Sequence, residues 1–179
     1  MYLRKLKEKD SAGMLEWMSD ENICGCFQTD FSHMDEADCK RFILRAAEDD
    51  RQVHFAICNE TDEYLGTISL KNIDRKNQNA EYAIVLRAEA IGKGVALEAT
   101  QRILKYAFDE LELHKVYLNV LSDNIRANKF YNKAGFSFEG EFKEYLCLQG
   151  SFKNLKWYGM VKEDFNNKNI RKVYSDVTQ

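Results

Sequence analysis

Two closely spaced glycines are the first residues of this sequence whose spacing suggests chemistry. They lie in I-G-K-G-V-A, Ile91 to Ala96, which follows an apolar stretch and opens a run with helical periodicity. Glycine lets a backbone approach an anion closely, and the unpaired amides at a helix start attract negative charge. The turn therefore predicts a site for a phosphate group, a pyrophosphate above all. A turn that holds only water is equally compatible with this stretch alone.

Two common phosphate-binding motifs are excluded at this turn. A P-loop requires G-x-x-x-x-G-K-[ST], but here Lys93 stands between the glycines and no Ser or Thr follows it. A dinucleotide-binding turn requires a small residue three positions after Gly94, where Leu97 stands. A phosphate ligand here must therefore be held in another way, mainly by backbone amides.

The elements around the turn follow from the periodicity of the apolar residues. Strands and helices are predicted in the order β-α-α-β-β-β-α-β-α-β-β, with the glycine turn between the fourth strand and the third helix. This order predicts an α+β (mixed α/β) fold, in which a central, mostly antiparallel twisted sheet of about seven strands has helices on both faces. The length of 179 residues suits one domain, predicted at residues 1–165, with a polar tail at 166–179.

Composition narrows the classes of partner. A net charge of −3 argues against a nucleic-acid-binding protein, which normally carries a basic surface. The first ten residues contain no apolar export segment and no run reaches membrane-spanning length, so a cytoplasmic protein without a membrane partner is predicted.

The five cysteines are odd in number and are expected to be free thiols. A zinc site from Cys24, Cys26, His33 and Cys39 is disfavoured because C-x-C lacks the usual spacer, so no metal is predicted.

A second motif, taken together with the glycine turn, gives the sequence a resemblance to a known family. Strand, I-G-K-G-V-A, helix and strand are followed by N-x-x-A-x-x-x-Y-x-x-x-G-F, Asn124 to Phe136. Together they resemble the GNAT superfamily of acetyl-CoA-dependent N-acetyltransferases over roughly residues 1–162. The branch it resembles holds ribosomal-protein N-terminal, spermidine and aminosugar acetyltransferases. The family's turn reads [Q/R]-x-x-G-x-[G/A], and Ile91 departs from its first position.

The resemblance implies acetyl transfer to an amine, which needs a base and an acid. The implied base is Glu81, in the strand before the glycine turn, acting directly or through water. The implied acid is Tyr131, which matches the family's tyrosine facing the coenzyme sulfur. For each residue an ordinary structural role is the alternative: Glu81 as a carboxylate that pairs with a neighbouring strand, and Tyr131 as a core tyrosine.

The resemblance also implies which residues hold acetyl-CoA. The backbone near Val85 is expected to pair with the pantetheine arm, and Asn124 is expected to form a hydrogen bond with it. Lys93 is expected to attract the phosphates. The full set of implied coenzyme-binding residues is Val85, Ile91, Gly92, Lys93, Gly94, Val95, Ala96 and Asn124.

The acceptor is the least determined part of the prediction. In the branch resembled it lies between the first helices and the last hairpin, which implies a pocket lined by Phe27, Gln28, Asp30, Phe31 and Tyr145, with Phe152. An aromatic wall with few positive charges suits a small primary amine, such as a polyamine or an aminosugar nucleotide. A protein N-terminus is the alternative acceptor, and a non-catalytic acyl-CoA-binding module the alternative function. The edge of the last hairpin is a candidate homodimer interface.

Overall fold

The computed structural model describes residues 1–25, 27 and 29–167. Within these ranges the strands are β1 (Tyr2–Lys5), β2 (Val53–Cys58), β3 (Tyr64–Asp74), β4 (Asn79–Leu86), β5 (Lys115–Leu121), β6 (Ser137–Leu148) and β7 (Ser151–Val161). The helices are α1 (Ser11–Met18), α2 (Glu21–Cys24), α3 (Glu36–Ala46), α4 (Val95–Lys105), α5 (Ile125–Lys133) and α6 (Lys162–Asn166). A 3₁₀ turn at Ala88–Ala90 precedes α4, and a π-helical segment at Tyr106–Glu110 follows it.

The strands form one sheet in the order β1-β2-β3-β4-β5-β7-β6. β4 and β5 are parallel, whereas β1 with β2, β2 with β3, β5 with β7, and β7 with β6 are antiparallel. The predicted α+β fold with a mostly antiparallel sheet of seven strands is thereby confirmed. The chain divides into two compact units: the first combines Met1–Ile73 with Tyr82–Ile103, and the second combines Asp74–Glu81 with the chain from Leu104 onward.

The core of the first unit is built from its early helices and from β2 and β3. Its fully buried members are Met14, Trp17, Met18, Cys39, Ile43, Ala56, Cys58 and Tyr64. Trp17 donates its indole N–H to the Tyr64 hydroxyl at 3.0 Å, so the polar atoms of this core are paired as well. The start of α1 is held by Asp10, which is 1% exposed and forms a two-pronged ion pair with Arg4 at 2.7 and 2.8 Å.

The second unit contains the long hairpin of β6 and β7. Its two-residue turn has Gln149 at φ 48° and Gly150 at φ 76°, the left-handed pair that a tight hairpin turn requires. A register shift between Phe142 and Leu146 adds a bulge to β6. The Asn154 side chain stabilises this bulge, because it accepts a hydrogen bond from the amide of Glu144 at 2.9 Å and donates to Glu141 at 2.8 Å.

Several predictions about the ends of the chain and its surroundings stay open. The single domain at residues 1–165 and the cytoplasmic location remain predictions, and the tail predicted at 166–179 lies outside the described residues from position 168 onward. No helix in the described ranges is long and apolar enough to cross a membrane. β6 is the last strand of the sheet, and the homodimer at its edge remains a prediction.

Candidate active site

The glycine turn lies in the first unit and has the geometry of an open anion site. Gly92 and Gly94 both have φ 81°, a conformation that residues with a Cβ rarely adopt. A Cβ placed on either glycine would meet no described heavy atom within 4 Å beyond its chain neighbours, so the space over the turn is open. Lys93 between them is exposed. The prediction of a glycine turn that opens a helix is confirmed; its ligand is not tested.

Backbone amides at the start of α4 directly follow the glycine turn. The first amides of the helix that donate back to a carbonyl, in the described part of the chain, are those of Leu97 and Glu98, both to Gly94. Val95 and Ala96 are the first two residues of the helix, where amides have no partner within the helix. These amides and the positive end of the helix dipole favour a bound anion.

A buried hydroxyl pair ties the first turn of α4 to β4. Thr100 donates to the carbonyl of Ala96 at 2.7 Å, and the Tyr82 hydroxyl lies 2.7 Å from the Thr100 oxygen. A hydroxyl has one proton, so Tyr82 is the donor in the second bond. Thr100 and Tyr82 are both buried, and the pair therefore positions the helix start that carries the open amides.

We expect Thr100→Val to lower the free energy of unfolding by about 1–3 kcal/mol, because it removes the buried oxygen to which the Tyr82 hydroxyl donates. Combining it with Tyr82→Phe removes both partners and is expected to restore part of that loss. Urea unfolding of the two single variants and the double variant measures the coupling. Strictly additive losses would show that the hydroxyl pair does not hold the helix start.

Arg87 connects the end of β4 to α1 just before the turn. Its guanidinium donates to Glu16 at 2.7 Å and to the Tyr64 carbonyl at 3.1 Å, and it lies 2.6 Å from Glu89. The hydrogen bond to Glu16 is the main reason why the pKa of Arg87 is raised. The chain is thus anchored on both sides of the glycines, by Arg87 before them and by Thr100 after them.

Val85 occupies a tightly packed place in β4. Its side chain packs against the core of the first unit. A Cβ on Gly66 of β3 would lie 2.2 Å from the Val85 carbonyl oxygen, so only glycine permits this approach of the two backbones. The strand expected to meet the pantetheine arm is therefore fixed closely by its neighbour.

Glu81 lies in the second unit, in the part of β4 that pairs with β5. Its register partner is Tyr117, and both side chains are half-buried. The pKa of Tyr117 is raised, mainly by burial and further by the negative charge of Glu81. The predicted base thus stands beside a tyrosine that sequence reasoning did not single out.

Asn124 and Tyr131 both lie on α5, as the motif predicts. Asn124 is the N-cap residue, and its side-chain oxygen accepts from the Ala127 amide at 3.0 Å. Tyr131 is half-buried among aromatic rings, with Phe130 at 5.4 Å, Phe136 at 6.1 Å and Tyr158 at 6.2 Å between ring centroids. Rings on several sides fix the orientation of the predicted acid.

Asn128 is a buried polar residue of α5 that the sequence analysis missed. Its amide nitrogen donates to the carbonyls of Leu121 at 3.0 Å and Asn124 at 2.8 Å, and its oxygen accepts from the Tyr158 hydroxyl at 2.9 Å. It therefore joins the start of α5 to the end of β5 and to β7. Its position four residues after Asn124 and three before Tyr131 was the available signal.

The predicted acceptor residues fall into both units. In the first unit Phe27 and Phe31 are brought together, 6.0 Å between ring centroids, and each also contacts Trp17. Asp30 is exposed, and its pKa is lowered by the hydrogen bond from the Ser32 amide. Gln28 lies outside the described residues. In the second unit Tyr145 is exposed and contacts Phe142 at 5.3 Å. An acceptor role remains a prediction for all of them.

Cysteines and metal ligands add nothing to this site. Cys24, Cys39, Cys58 and Cys147 are free thiols, as predicted, and Cys26 lies outside the described residues. Among the described side chains, no group of three or more His, Cys, Asp or Glu is arranged to hold a metal ion.

Comparison with known proteins identifies the family. A family model of the acetyltransferase (GNAT) domain matches residues 1–137, which contain the glycine turn and the motif from Asn124 to Phe136. The chain belongs to the GNAT acetyltransferase family. The prediction of a GNAT N-acetyltransferase is confirmed.

Relatives of this chain are named for different acceptors. The chain is 26% identical over 167 residues to a spermidine N(1)-acetyltransferase of Vibrio cholerae serotype O1, covering 93% of this chain and 95% of that protein. It is 32% identical over 100 residues to a putative ribosomal N-acetyltransferase of Bacillus subtilis, YdaF, covering 56% of this chain and 55% of that protein. The crystal structure of spermidine N-acetyltransferase from Vibrio cholerae in complex with CoA and spermine is similar at a TM-score of 0.85 and 25% identity, covering 93% of this chain and 98% of that one.

Proposed function

We propose that this GNAT protein transfers the acetyl group of acetyl-CoA directly to a primary amine of a small molecule, a polyamine or an aminosugar nucleotide. The observation that carries the proposal is the glycine turn, where two left-handed glycines, an open space and the amides at the start of α4 meet. Those features suit the diphosphate of coenzyme A, because backbone amides bind phosphate oxygens without a metal or a specific side chain.

In the proposed reaction the amine nitrogen attacks the thioester carbonyl and the carbon–sulfur bond breaks. Glu81 takes the proton that the amine loses, directly or through water, and Tyr131 gives a proton to the departing thiolate. The backbone near Val85 supports the pantetheine arm and the developing oxyanion. The half-buried positions of Glu81 and Tyr131 support these roles, since each is ordered by packing and still partly open to solvent.

A polyamine is supported as acceptor by the relatives named spermidine acetyltransferases. The partial match to a putative ribosomal N-acetyltransferase favours a protein N-terminus as the second candidate. Thiol release from acetyl-CoA, measured with polyamines, amino sugars, nucleotide amino sugars and N-terminal peptides, separates the two. We expect the highest kcat/KM with a polyamine. Release with peptides alone would support the second candidate, and no release with any amine would leave an acyl-CoA-binding module.

Coenzyme binding is tested at the turn. We expect Gly94→Val to weaken coenzyme A binding about tenfold in a calorimetric titration, because a β-branched residue is strained at φ 81° and its side chain fills the open space. Gly150→Val is the matched control: Gly150 has φ 76° and the same open surroundings, but lies in the hairpin turn. Equal weakening by both variants would mean that the effect is strain and not loss of a phosphate site.

A further inference from the structure

Glu81 begins a row of side chains that crosses the sheet of the second unit. It is paired with Tyr117 of β5, and Tyr117 is paired with Gly159 of β7. Trp157 lies two residues before Gly159 and therefore points to the same face. Glu81, Tyr117 and Trp157 thus share one face of three neighbouring strands, β4, β5 and β7.

The rings in this row touch one another and continue onto β6. Tyr117 and Trp157 are stacked, with ring centroids 5.9 Å apart and an angle of 28°. Phe142 lies 5.6 Å from Trp157, and Tyr145 lies 5.3 Å from Phe142. We call Tyr117, Trp157, Phe142 and Tyr145 the aromatic ledge. Phe142 is 49% exposed and Tyr145 58% exposed, so the outer half of the ledge is open to solvent.

Two glycines shape the surface of the ledge. Gly140 is the register partner of Trp157, and a Cβ there would meet no described heavy atom within 4 Å beyond its chain neighbours, so the space over Gly140 is open. A Cβ on Gly159, the register partner of Tyr117, would lie 2.3 Å from a carboxylate oxygen of Glu139, so the absence of a side chain at 159 makes room for that carboxylate. The ledge therefore has carboxylates on it as well as rings.

The charges of the ledge complement a cation. Glu81 is the register partner of Tyr117, and Glu139 lies over Gly159, where Lys115 offsets its charge at 2.7 Å. Ring faces beside carboxylates attract ammonium groups and pack against methylenes. A nucleotide-linked amino sugar would bring phosphates to these carboxylates, which disfavours it here. The row of side chains from Glu81 to Phe142 crosses three strand spacings, on the order of 14 Å. A row of this width suits an extended ligand chain.

We infer that the aromatic ledge binds the chain of a linear polyamine, whose reacting amine lies at Glu81 and whose methylenes and further ammonium groups extend over Tyr117, Trp157 and Phe142. This inference rests on the proposed function and narrows its acceptor to one class. The family model ends at residue 137, so the three rings contributed by β6 and β7 lie outside the part of the chain that it matches.

Trp157 offers a test with a matched pair of substitutions. Its indole N–H is buried and has no acceptor among the described atoms, so Trp157→Phe keeps a ring while removing an unpaired donor. Trp157→Leu removes the ring face. We expect Trp157→Leu to raise the KM for spermine about tenfold and that for 1,3-diaminopropane less than about threefold, because only the longer amine reaches Trp157. Trp157→Phe is expected to stay within about threefold of the parent for both.

Control variants and a binding measurement distinguish a specific loss of polyamine binding from misfolding and from failure of the proposed function. Phe138→Leu removes an exposed ring of β6 that contacts Tyr158 on the opposite face, and it should leave both KM values unchanged. Phe142→Leu, at a position that is 49% exposed, is a second ledge variant if Trp157→Leu does not fold. Calorimetric binding of spermine without coenzyme tests the ledge even if no variant binds acetyl-CoA. Spermine affinity and KM unchanged in the ledge variants would overturn the inference.

Discussion

Glu81→Gln is expected to lower kcat about a hundredfold at neutral pH, because loss of a general base typically costs that much or more. An alkyl ammonium group has a pKa near 10, so at neutral pH almost all of the acceptor must lose a proton before it can attack. Without the carboxylate, that proton must leave to solvent. We therefore expect the residual rate of Glu81→Gln to keep rising with pH up to the range where the amine itself deprotonates. A full pH–rate profile measures this.

The control for this prediction is Glu163→Gln, which removes an exposed carboxylate of α6 in the same unit. It should leave both kcat and the shape of the profile unchanged. If Glu81→Gln keeps the parental kcat at every pH, Glu81 takes no part in the proton transfer and only pairs with its neighbours in the sheet.

Tyr131→Phe is expected to lower kcat by about a factor of a hundred while coenzyme A affinity changes less than about threefold. The ring contacts with Phe130, Phe136 and Tyr158 do not need the hydroxyl, so the phenylalanine should keep the position of the side chain. The substitution removes only the hydroxyl that is proposed to give a proton to the departing thiolate. Steady-state kinetics give kcat, and calorimetry gives the affinity for the coenzyme.

Tyr2→Phe is a suitable comparison, because it also deletes a phenol hydroxyl, one bonded to Asp62 at 2.6 Å. It is expected to leave kcat at the parental value. An unchanged kcat in Tyr131→Phe would remove Tyr131 from the chemistry and return it to a packing role. A common loss of coenzyme affinity and kcat would indicate a displaced α5 instead.

Local features were predictable from the sequence where the conformational preference of one residue type determines the backbone conformation. Glycines at 92 and 94 predicted the turn, and both have the left-handed conformation. Asparagine is a common N-cap residue and Asn124 caps α5, and a polar residue followed by glycine is typical of two-residue turns and Gln149-Gly150 forms the last hairpin turn. In each case the deciding interactions lie within a few residues of one another.

Features that depend on distant partners were not predictable in the same way. By residue type Asp10 or Ser11 can cap α1; Asp10 does occupy the N-cap position, but its carboxylate is engaged by Arg4 and the Lys7 amide. Ser32 and Asp35 stand at capping-box spacing before α3, but the observed cap is Asp35 with Asp38. In both places two short polar residues competed for one role, and the packing of the neighbouring chain decided between them.

In the candidate site, too, features set by nearby residues were predictable and features that depend on distant partners were not. Glu81 and Tyr131 were named from short motifs, whereas the contact of Tyr117 with Trp157 depends on the register between β5 and β7, forty residues apart in the sequence. Alternation within each strand does not determine that register. The predicted acceptor set therefore included Tyr145 and left out Phe142, Trp157 and Tyr117, the three rings that connect it to Glu81.

The bulge that Asn154 holds in β6 has a practical consequence for changing acceptor preference. Residues 142–145 are exposed throughout, so their side chains contribute little to the core. A library randomised at Phe142 and Tyr145, with Asn154 kept, would vary the outer ledge while the glycine turn stays intact. The hairpin is thus a place where new amine selectivity can be selected at small cost in folding stability.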